Sequence, residues 1–452
     1  MTSRETAFAA LLRVEDGAYS NVLLPTMLRD SALDTRDRAF VTDLVYSTLR
    51  QQRALDYLVG LAADRPVEEL DPPTRVALRL GAYQLTRDVP AHAAVGETVA
   101  VAPLRARGYV NAVLRALAGI GPQWPWPGGE DVGALAVRLS YPDWIVEELV
   151  AQYGPADARS SLEVANEPPP VALRVNSERA TVEAVADELR AVGVEVSRGT
   201  LVDEALLARG IGDPARLAAV ADGRATPQDE ASQAVVRILD PQPGETVVDA
   251  AAAPGGKATA IAERVGEHGR VVACDLHPGR IRLVASARDR LGLGRLLPVV
   301  ADGRSLPLRR ACADRALVDA PCSGLGVLRR RAELRWRIRQ DDLPRLVELQ
   351  RDLLRGAAEA VRPGGVVVYS VCTLTGDETT GVDAWAEREL PQLVADPPPG
   401  APWRPRGRGA VLLPHDADSD GMYVLRLRRS FGAVASSGSA ARSAKPPPPH
   451  IG

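Results

Sequence analysis

The 452-residue chain is 46% hydrophobic and 25% charged, with a formal net charge of −3. This composition is typical of a soluble globular protein, and the length predicts two or three domains. The sequence contains no uncharged apolar run of about 18 residues and its N-terminus is charged, so we expect neither a membrane span nor a signal peptide. Four cysteines over this length exclude a disulfide framework, and the five histidines show no zinc-ligand spacing. We therefore expect a cytoplasmic protein without a metal site.

The basic residues are unusual in both type and position. Of 55 lysines and arginines, only Lys257 and Lys445 are lysine, and Lys445 lies in a Ser- and Pro-rich tail. Lys257 is therefore either a chance survivor in an arginine-rich chain or a residue at a place where a guanidinium does not fit. Residues 279–355 contain 18 Arg against 9 Asp and Glu. This clustering predicts a polyanionic partner such as RNA, with a solvated helix face as the alternative.

Three segments precede the sheet domain. Apolar residues recur at helical spacing over residues 3–118, which predicts an all-helical first domain spanning residues 1–122. The Gly-, Pro- and Trp-rich composition that follows predicts a linker over residues 123–140. Residues 141–225 predict a small α+β module of the ferredoxin or RRM type, because a helical pattern lies between two short strand patterns.

From Thr226 onward, strands and helices alternate. This alternation predicts a third domain over residues 226–430 with a mostly parallel, seven-stranded sheet and crossover helices. A late pair of strand patterns without a helix between them predicts an antiparallel hairpin at one edge. The tail, residues 431–452, is predicted to be disordered. The predicted parallel strands are residues 246–252, 270–275, 296–302, 315–321 and 365–372.

The first parallel strand runs into the loop DAAAAPGGKAT, residues 249–259. Its glycines let a ligand approach the backbone, and the following helix presents free N–H groups. The loop fits neither the dinucleotide nor the P-loop pattern. Asp275 and Asp302 end the next two strands, and acids at successive strand tips suit S-adenosylmethionine, which carries a positive sulfur, better than a pyrophosphate. The alternatives are that Gly255 and Gly256 only form a turn and that Asp275 only caps the next helix.

Two of the four cysteines end neighbouring strands. Cys322 follows Asp319 in DAPC, and Cys372 ends YSVC. A thiolate that adds to carbon 6 of cytosine activates carbon 5 toward a methyl donor, so two thiols beside this cofactor favour cytosine methylation. Asp319 is placed to hold the base. Cys274 and Cys312 are predicted to be structural.

Four motifs carry a resemblance to a known family. QDEASQ (228–233), DAAAAPGGKAT, DAPCSGLGVLRRR (319–331) and YSVCTL (369–374) together resemble the RNA cytosine-C5 methyltransferases of the Nol1/Nop2/Sun type. The helical N-terminus resembles the NusB-like RNA-binding domain of the RsmB (Sun/Fmu) branch, which modifies 16S ribosomal RNA. The resemblance implies a class I, Rossmann-like methyltransferase domain.

The resemblance also implies roles for residues. Cys372 is the implied nucleophile, Cys322 assists product release, and Asp319 lies near the methyl donor and the base. Asp275, Asp302 and Asp319 are implied cofactor contacts. The implied contacts in the cofactor loop are Ala251, Ala252, Ala253, Pro254, Gly255, Gly256 and Lys257.

The arginines after DAPC predict the RNA contact. We expect Arg329, Arg330, Arg331 and Arg335 to bind phosphate, and Trp336 either to stack on a base or to be a buried anchor. The expected partner is 16S rRNA or a small-subunit assembly intermediate, bound by a monomer. The alternatives are a methyltransferase for tRNA or another RNA, an inactive NusB-like RNA-binding factor, and a redox enzyme with a Cys322–Cys372 disulfide. The loop disfavours an NAD-dependent dehydrogenase.

Overall fold

The computed structural model describes residues 1–87 and 89–431. The N-terminal third is helical, as predicted, and Asp34 caps its third helix by accepting a hydrogen bond from the Asp37 backbone N–H. Among the described helices, none combines the length and the hydropathy needed to cross a bilayer. The helices of this part are α1 (Ser3–Glu15), α2 (Ser20–Arg29), α3 (Thr35–Arg50), α4 (Gln52–Gly60), α5 (Pro72–Leu85), α6 (Ala91–Val101), α7 (Arg107–Ile120), α8 (Val132–Leu139) and α9 (Asp143–Val164).

The first seven helices share one core, which includes the fully buried Leu44, Leu78 and Leu114. Ala332, which follows the arginine run by sequence, is buried in the same core. Helices α8 and α9 instead pack with the sheet of the third domain. The predicted linker, 123–140, therefore contains the helix α8 in its second half. The sequence does not reveal the sheet against which the apolar face of this helix packs.

The small module is an antiparallel sheet in the order β2-β3-β1-β4. Two of its strands, β3 and β4, were missed because they are short and their sequences, ALLAR and ATP, contain few residues of high strand propensity. The elements are β1 (Val171–Val175), α10 (Val182–Ala191), β2 (Glu195–Arg198), β3 (Ala205–Arg209), α11 (Ala218–Ala221) and β4 (Ala225–Pro227).

The third domain holds the α/β sheet. Its elements are α12 (Glu230–Leu239), β5 (Thr246–Asp249), α13 (Gly256–Val265), β6 (Arg270–Asp275), α14 (Pro278–Leu291), β7 (Leu296–Val300), β8 (Ala313–Asp319), α15 (Leu334–Arg337), α16 (Leu343–Ala360), β9 (Val361–Val371), α17 (Thr380–Glu389), β10 (Leu393–Ala395), β11 (Arg404–Arg406), β12 (Gly409–Leu412) and β13 (Met422–Arg429).

The strand order is β11-β12-β13-β9-β8-β5-β6-β7, and β10 pairs with β13. Strands β5 to β9 are mutually parallel and the others pair antiparallel. The predicted succession of a helical domain, a small α+β module and a mixed, mostly parallel sheet is confirmed. The sheet has nine strands rather than seven, because the three-residue strands β10 and β11 extend the predicted hairpin. The predicted tail lies outside the described residues except for Phe431.

Candidate active site

The loop between β5 and α13 lies against the tip of β6, where the backbone N–H of Ala252 donates to the Cys274 carbonyl at 2.7 Å. Gly255 has φ +112°, and a Cβ at this position would lie 3.2 Å from the Cα of Val284 on α14. Glycine is therefore required at this position both by the backbone conformation and by the approach of α14. The loop leaves its backbone open to a ligand at the carboxyl edge of the sheet.

Asp249, the last residue of β5, was not among the predicted site residues. Its side chain is buried, and its Oδ2 atom has no hydrogen-bond partner among the described residues. Burial, reinforced by the charge of Asp319, raises the pKa of Asp249 to about 7. A buried carboxylate oxygen without a partner suits a ligand that donates a hydrogen bond or carries positive charge. The signal in the sequence was an acid that ends a buried strand directly before the glycine loop.

Lys257 and Asp319 form an ion pair that joins the cofactor loop to the tip of β8. The Lys257 ammonium lies 2.8 Å from Asp319 Oδ2 and 3.3 Å from the Ser232 hydroxyl, and the Ser370 hydroxyl donates to Asp319 Oδ1 at 2.8 Å. Burial alone lowers the pKa of Lys257, but the attraction of Asp319 outweighs it and the net pKa is raised. Ser370 stands two residues before Cys372, so this network lies close to the predicted nucleophile.

The sulfur atoms of Cys322 and Cys372 are 3.4 Å apart, and both cysteines are free and half-buried. They are brought together because β8 and β9 are adjacent parallel strands that pair Asp319 with Ser370 in register. The hydrogen bond with Cys372, and then burial, raise the pKa of Cys322 well above its ordinary value. Cys274 is buried inside β6 and Cys312 is exposed, so the structure brings together only the pair predicted to act.

A buried carboxylate, Glu378, holds the two cysteine loops together. Its Oε1 atom accepts from the Ser323 N–H at 2.9 Å and from the Gln350 amide at 2.8 Å. Its Oε2 atom accepts from the hydroxyls of Ser323 and Thr375. The Ser323 hydroxyl also lies 2.6 Å from that of Thr373, the residue after Cys372. Glu378 therefore sets the loop geometry on which the distance between the sulfurs depends.

The other two predicted acids stand at the tips of β6 and β7. Asp275 is buried; it accepts from the His277 N–H at 3.0 Å and pairs with Arg280 at 3.2 Å. Asp302 is half-buried and pairs with Arg304. Both carboxylates lie at the ligand edge of the sheet, as the strand order requires.

Two of the five predicted RNA contacts, Arg329 and Arg335, are buried in the interior instead. Arg335 is fully buried, and its guanidinium donates to the carbonyls of Arg50 and Ser140, each at 3.2 Å, and stacks 3.9 Å from the Tyr141 ring centroid. The Trp336 indole N–H donates to the Leu49 carbonyl at 2.8 Å. Arg335 and Trp336 thus bind the helical domain, and the predicted phosphate contact of Arg335 is wrong, because no face of its guanidinium reaches solvent.

Arg329 is buried as well, and Arg330 is half-buried and paired with acids. Arg329 is 2% exposed and donates to the carbonyls of residues 167 and 168. Arg330 lies between Asp229 (2.8 Å) and Asp420 (3.1 Å), and burial, together with the Asp229 charge, raises the pKa of Asp420 to about 7. Arg331 alone among the four predicted arginines is exposed.

Three segments of the chain match known protein families. Residues 236–428 match the family described as 16S rRNA methyltransferase RsmB/F. Residues 1–119 match the NusB family, and residues 141–211 match the ferredoxin-like domain of RsmF/B-like methyltransferases.

Curated relatives match along nearly the whole chain. The probable ribosomal RNA small subunit methyltransferase B of Bacillus subtilis is 35% identical, over 94% of this chain and 98% of its own length. The ribosomal RNA small subunit methyltransferase B of Thermus thermophilus is 36% identical, over 95% and 98%. The crystal structure of PH0851 superposes with a TM-score of 0.82 at 26% identity, covering 95% of this chain and 99% of that one. NSun6 from Pyrococcus horikoshii, solved with SFG, shares the fold at a TM-score of 0.58 and 22% identity, covering 64% and 98%. The chain therefore belongs to the RsmB/F family of 16S rRNA methyltransferases, with a NusB-family N-terminal domain.

Proposed function

We propose that this enzyme methylates carbon 5 of a cytosine in 16S rRNA through a covalent bond between Cys372 Sγ and carbon 6 of the base. The observation that carries the proposal is the pair of free thiols, 3.4 Å apart, at adjacent strand tips beside Lys257 and Asp319. A single nucleophile would need no second thiol at this distance. Two thiols supply both an attacking group and a group for release.

Each step leaves a defined task to the protein. The Cys372 thiolate adds to carbon 6, which makes carbon 5 nucleophilic. When bound, S-adenosylmethionine supplies the electrophilic methyl group. Carbon 5 then loses its proton to a water molecule, and the electron pair of that bond re-forms the C5–C6 double bond and expels the Cys372 thiolate. The Cys322 thiol, 3.4 Å from the departing sulfur, assists this release by hydrogen-bonding to it. Asp319, held in position by Lys257 and Ser370, is the residue proposed to bind the cytosine ring.

The cation that favours the Cys372 thiolate is Lys257. The arginines that follow Cys322 in the chain are engaged elsewhere: Arg329 and Arg330 with acids and carbonyls, and Arg335 with the helical domain. The Lys257 ammonium is buried and paired with Asp319, whose other oxygen accepts from Ser370, two residues before Cys372. A positive charge of this kind stabilises a thiolate.

The site fits the proposed cofactor. Gly255 keeps the loop free of a side chain at its closest approach to α14, and the unpartnered Oδ2 of Asp249 suits a cationic ligand. The residues proposed to hold S-adenosylmethionine are those of the loop from Ala251 to Lys257, with Asp275, Asp302 and Asp319. NSun6, whose fold is related, was solved with SFG, an analogue of S-adenosylmethionine, which supports the choice of cofactor. For RNA, the exposed Arg331 remains the proposed phosphate contact among the predicted arginines.

Bisulfite sequencing of 16S rRNA tests the proposal in a strain that lacks the protein and is complemented with variants. We expect one cytosine to lose its 5-methyl group and to regain it with the wild-type protein and with Cys312→Ala, a control at an exposed cysteine outside the site. Cys372→Ala should fail to restore it. Cys322→Ala should accumulate a covalent protein–RNA complex on denaturing gels. Methylation by Cys372→Ala, or an unchanged bisulfite pattern in the deletion strain, would overturn the proposal.

A further inference from the structure

The small module contacts the helix of the cofactor loop through a buried arginine. Arg174 lies on β1, in register with Thr226 of β4, and its side chain is 6% exposed. Its guanidinium extends out of the module to α13, the helix that begins at Gly256 of the cofactor loop. None of the proposed cofactor or catalytic residues belongs to the module. Arg174 is therefore a contact through which the module can act on a site that it does not line.

Three positions on one side of α13 bind this guanidinium. Its Nη1 donates to the Gly256 carbonyl at 2.8 Å, and its Nη2 donates to the Thr259 hydroxyl at 3.0 Å. Nη2 and Nε also donate to the two oxygens of the Glu263 carboxylate, at 2.9 and 3.1 Å. These three positions are separated by three and four residues, so they follow one another along the same side of the helix. One side chain of the module thus holds the first two turns of α13.

The same contacts hold the glycine turn of the cofactor loop. The Thr259 hydroxyl, which accepts from Arg174, lies 2.9 Å from the Gly255 carbonyl and 3.0 Å from the Gly256 carbonyl. Because a peptide group is planar, a carbonyl that is held in place also fixes the direction of the N–H of the next residue. The N–H groups fixed in this way belong to the start of α13, where the loop presents them to a ligand.

The motif QDEASQ adds a second contact between the module and this turn. The side-chain oxygen of Gln228 accepts from Arg174, and the Gln228 backbone N–H donates to the Ala172 carbonyl of β1 at 3.0 Å. A Cβ at Gly256 would lie 3.6 Å from the Gln228 side chain, which is an ordinary contact distance. Gln228 is thus packed between β1 and the glycine turn. The position of that turn therefore depends on the module as well as on the sheet.

We propose that Arg174 is a positioning residue for S-adenosylmethionine, through which the small module holds the glycine turn and the start of α13 in the form that binds the cofactor. A loop that is already ordered loses less conformational entropy when its ligand binds. Removal of the guanidinium should therefore weaken cofactor affinity more than it slows the chemical step. The inference rests on the proposed cofactor site and not on which atom of the RNA is methylated.

Arg174→Met and Arg290→Met make a matched pair for calorimetry with S-adenosylmethionine. Arg290 donates to the Val220 carbonyl at 2.7 Å and to the Thr226 hydroxyl at 3.1 Å, so it joins the same two domains through α14 instead of α13. Both variants should therefore have a lower Tm. Only Arg174→Met should raise the Kd for S-adenosylmethionine, by about tenfold. Its KM for the cofactor should rise in parallel, whereas kcat at saturating cofactor should change much less.

Glu263→Gln is a milder variant that keeps the inference testable if Arg174→Met does not fold. It preserves the shape of the buried pair and removes one charge, so the Kd should rise about threefold. A wild-type Kd in the folded variants of this pair, or an equal rise in Arg290→Met, would overturn the inference and leave the proposed cofactor site standing.

The remaining outcomes separate the inference from the proposed function. If the wild-type protein bound no S-adenosylmethionine, the proposed cofactor site would fail and the inference with it. If the Kd values change as expected but bisulfite sequencing finds no 5-methylcytosine in 16S rRNA, the role of Arg174 stands and the proposed chemistry fails.

Discussion

Replacing Glu378 with Gln tests whether the two cysteine loops are held in place by one buried carboxylate. Glu378 is fully buried and accepts four hydrogen bonds, two at each oxygen. The donors at Oε1 are N–H groups, which cannot turn into acceptors. The donors at Oε2 are the hydroxyls of Ser323 and Thr375, which can. The amide nitrogen of the glutamine in Glu378→Gln will therefore occupy the Oε2 position, where both hydroxyls rotate to accept.

The cost follows from this rearrangement. All four bonds survive in number but lose the charge on the acceptor, and bonds to charged groups contribute about 1 kcal/mol more than neutral ones. Relaxation of the surrounding loops compensates for part of this cost. The free energy of unfolding should therefore fall by about 2–3 kcal/mol, which corresponds to a decrease of roughly 5–10 °C in the Tm of a domain of this size. Because the loops loosen, kcat should fall about tenfold or more, whereas KM for S-adenosylmethionine should change little.

The assay pairs thermal unfolding with methyl transfer from labelled S-adenosylmethionine to 16S rRNA. Glu389→Gln is the matched control, since Glu389 is exposed at the end of α17, and both its Tm and its kcat should equal those of the wild type. Glu378→Ala should be more severe than Glu378→Gln, because it leaves two N–H donors without an acceptor. A Glu378→Gln variant with wild-type Tm and kcat would refute the positioning role.

Three further outcomes are expected. Arg335→Met leaves the carbonyls of Arg50, Ser140 and Ala165 without this donor, so it should lower stability by about 1–3 kcal/mol and speed proteolysis in residues 121–131, while the exposed Arg331→Met should not; equal proteolysis rates would contradict the docking role. Folding raises the pKa of Asp249 from 3.8 to about 7, so the folded state binds this proton more tightly than the unfolded state. The free energy of unfolding of the cofactor-free protein should therefore decrease as the pH rises from about 4 to about 7. Asp249→Asn should flatten that slope in thermal melts and weaken cofactor binding in calorimetry. Lys257→Met leaves Asp319 without its cation, so it should weaken both cofactor binding and covalent adduct formation at a fixed pH, and wild-type values of both would contradict the role of this ion pair.

The positions of the two cysteine-bearing strand tips could be predicted from the sequence, because they depend only on strand direction and strand adjacency. A strand that ends in Asp-Ala-Pro-Cys and a neighbouring one that ends in Ser-Val-Cys must bring their tips to one edge if they are parallel and adjacent. The structure pairs Asp319 with Ser370 in this way. The partners of Glu378 could not be foreseen, since Gln350 approaches from α16, whose angle depends on packing.

The arginine run was misjudged for a physical reason as well. A count of charges predicts where a polyanion could bind, but a guanidinium also has five N–H donors that suit backbone carbonyls. Arg329 and Arg335 meet such carbonyls only because α9, the helical domain and the catalytic loops converge at one place. Sequence-local patterns hold no information about that convergence. The sequence therefore located the basic segment but did not reveal that Arg329 and Arg335 are buried against backbone carbonyls, whereas the exposed Arg331 stays a predicted phosphate contact.

The contact between α15 and the helical domain has an evolutionary consequence. Its donors are the side chains of Arg335, Trp336 and Arg337, and their acceptors in the helical domain are main-chain carbonyls of residues 14, 18, 49 and 50. A carbonyl remains whatever side chain its residue carries. Substitutions in α1 and α3 that preserve the backbone therefore leave these bonds intact, whereas no side-chain change opposite α15 can replace a lost donor. These α15 bonds thus constrain side chains of the catalytic domain only, whereas the neighbouring bonds from the Ser20 hydroxyl to Glu333 and from the Arg50 guanidinium to the Arg329 carbonyl constrain side chains of the helical domain.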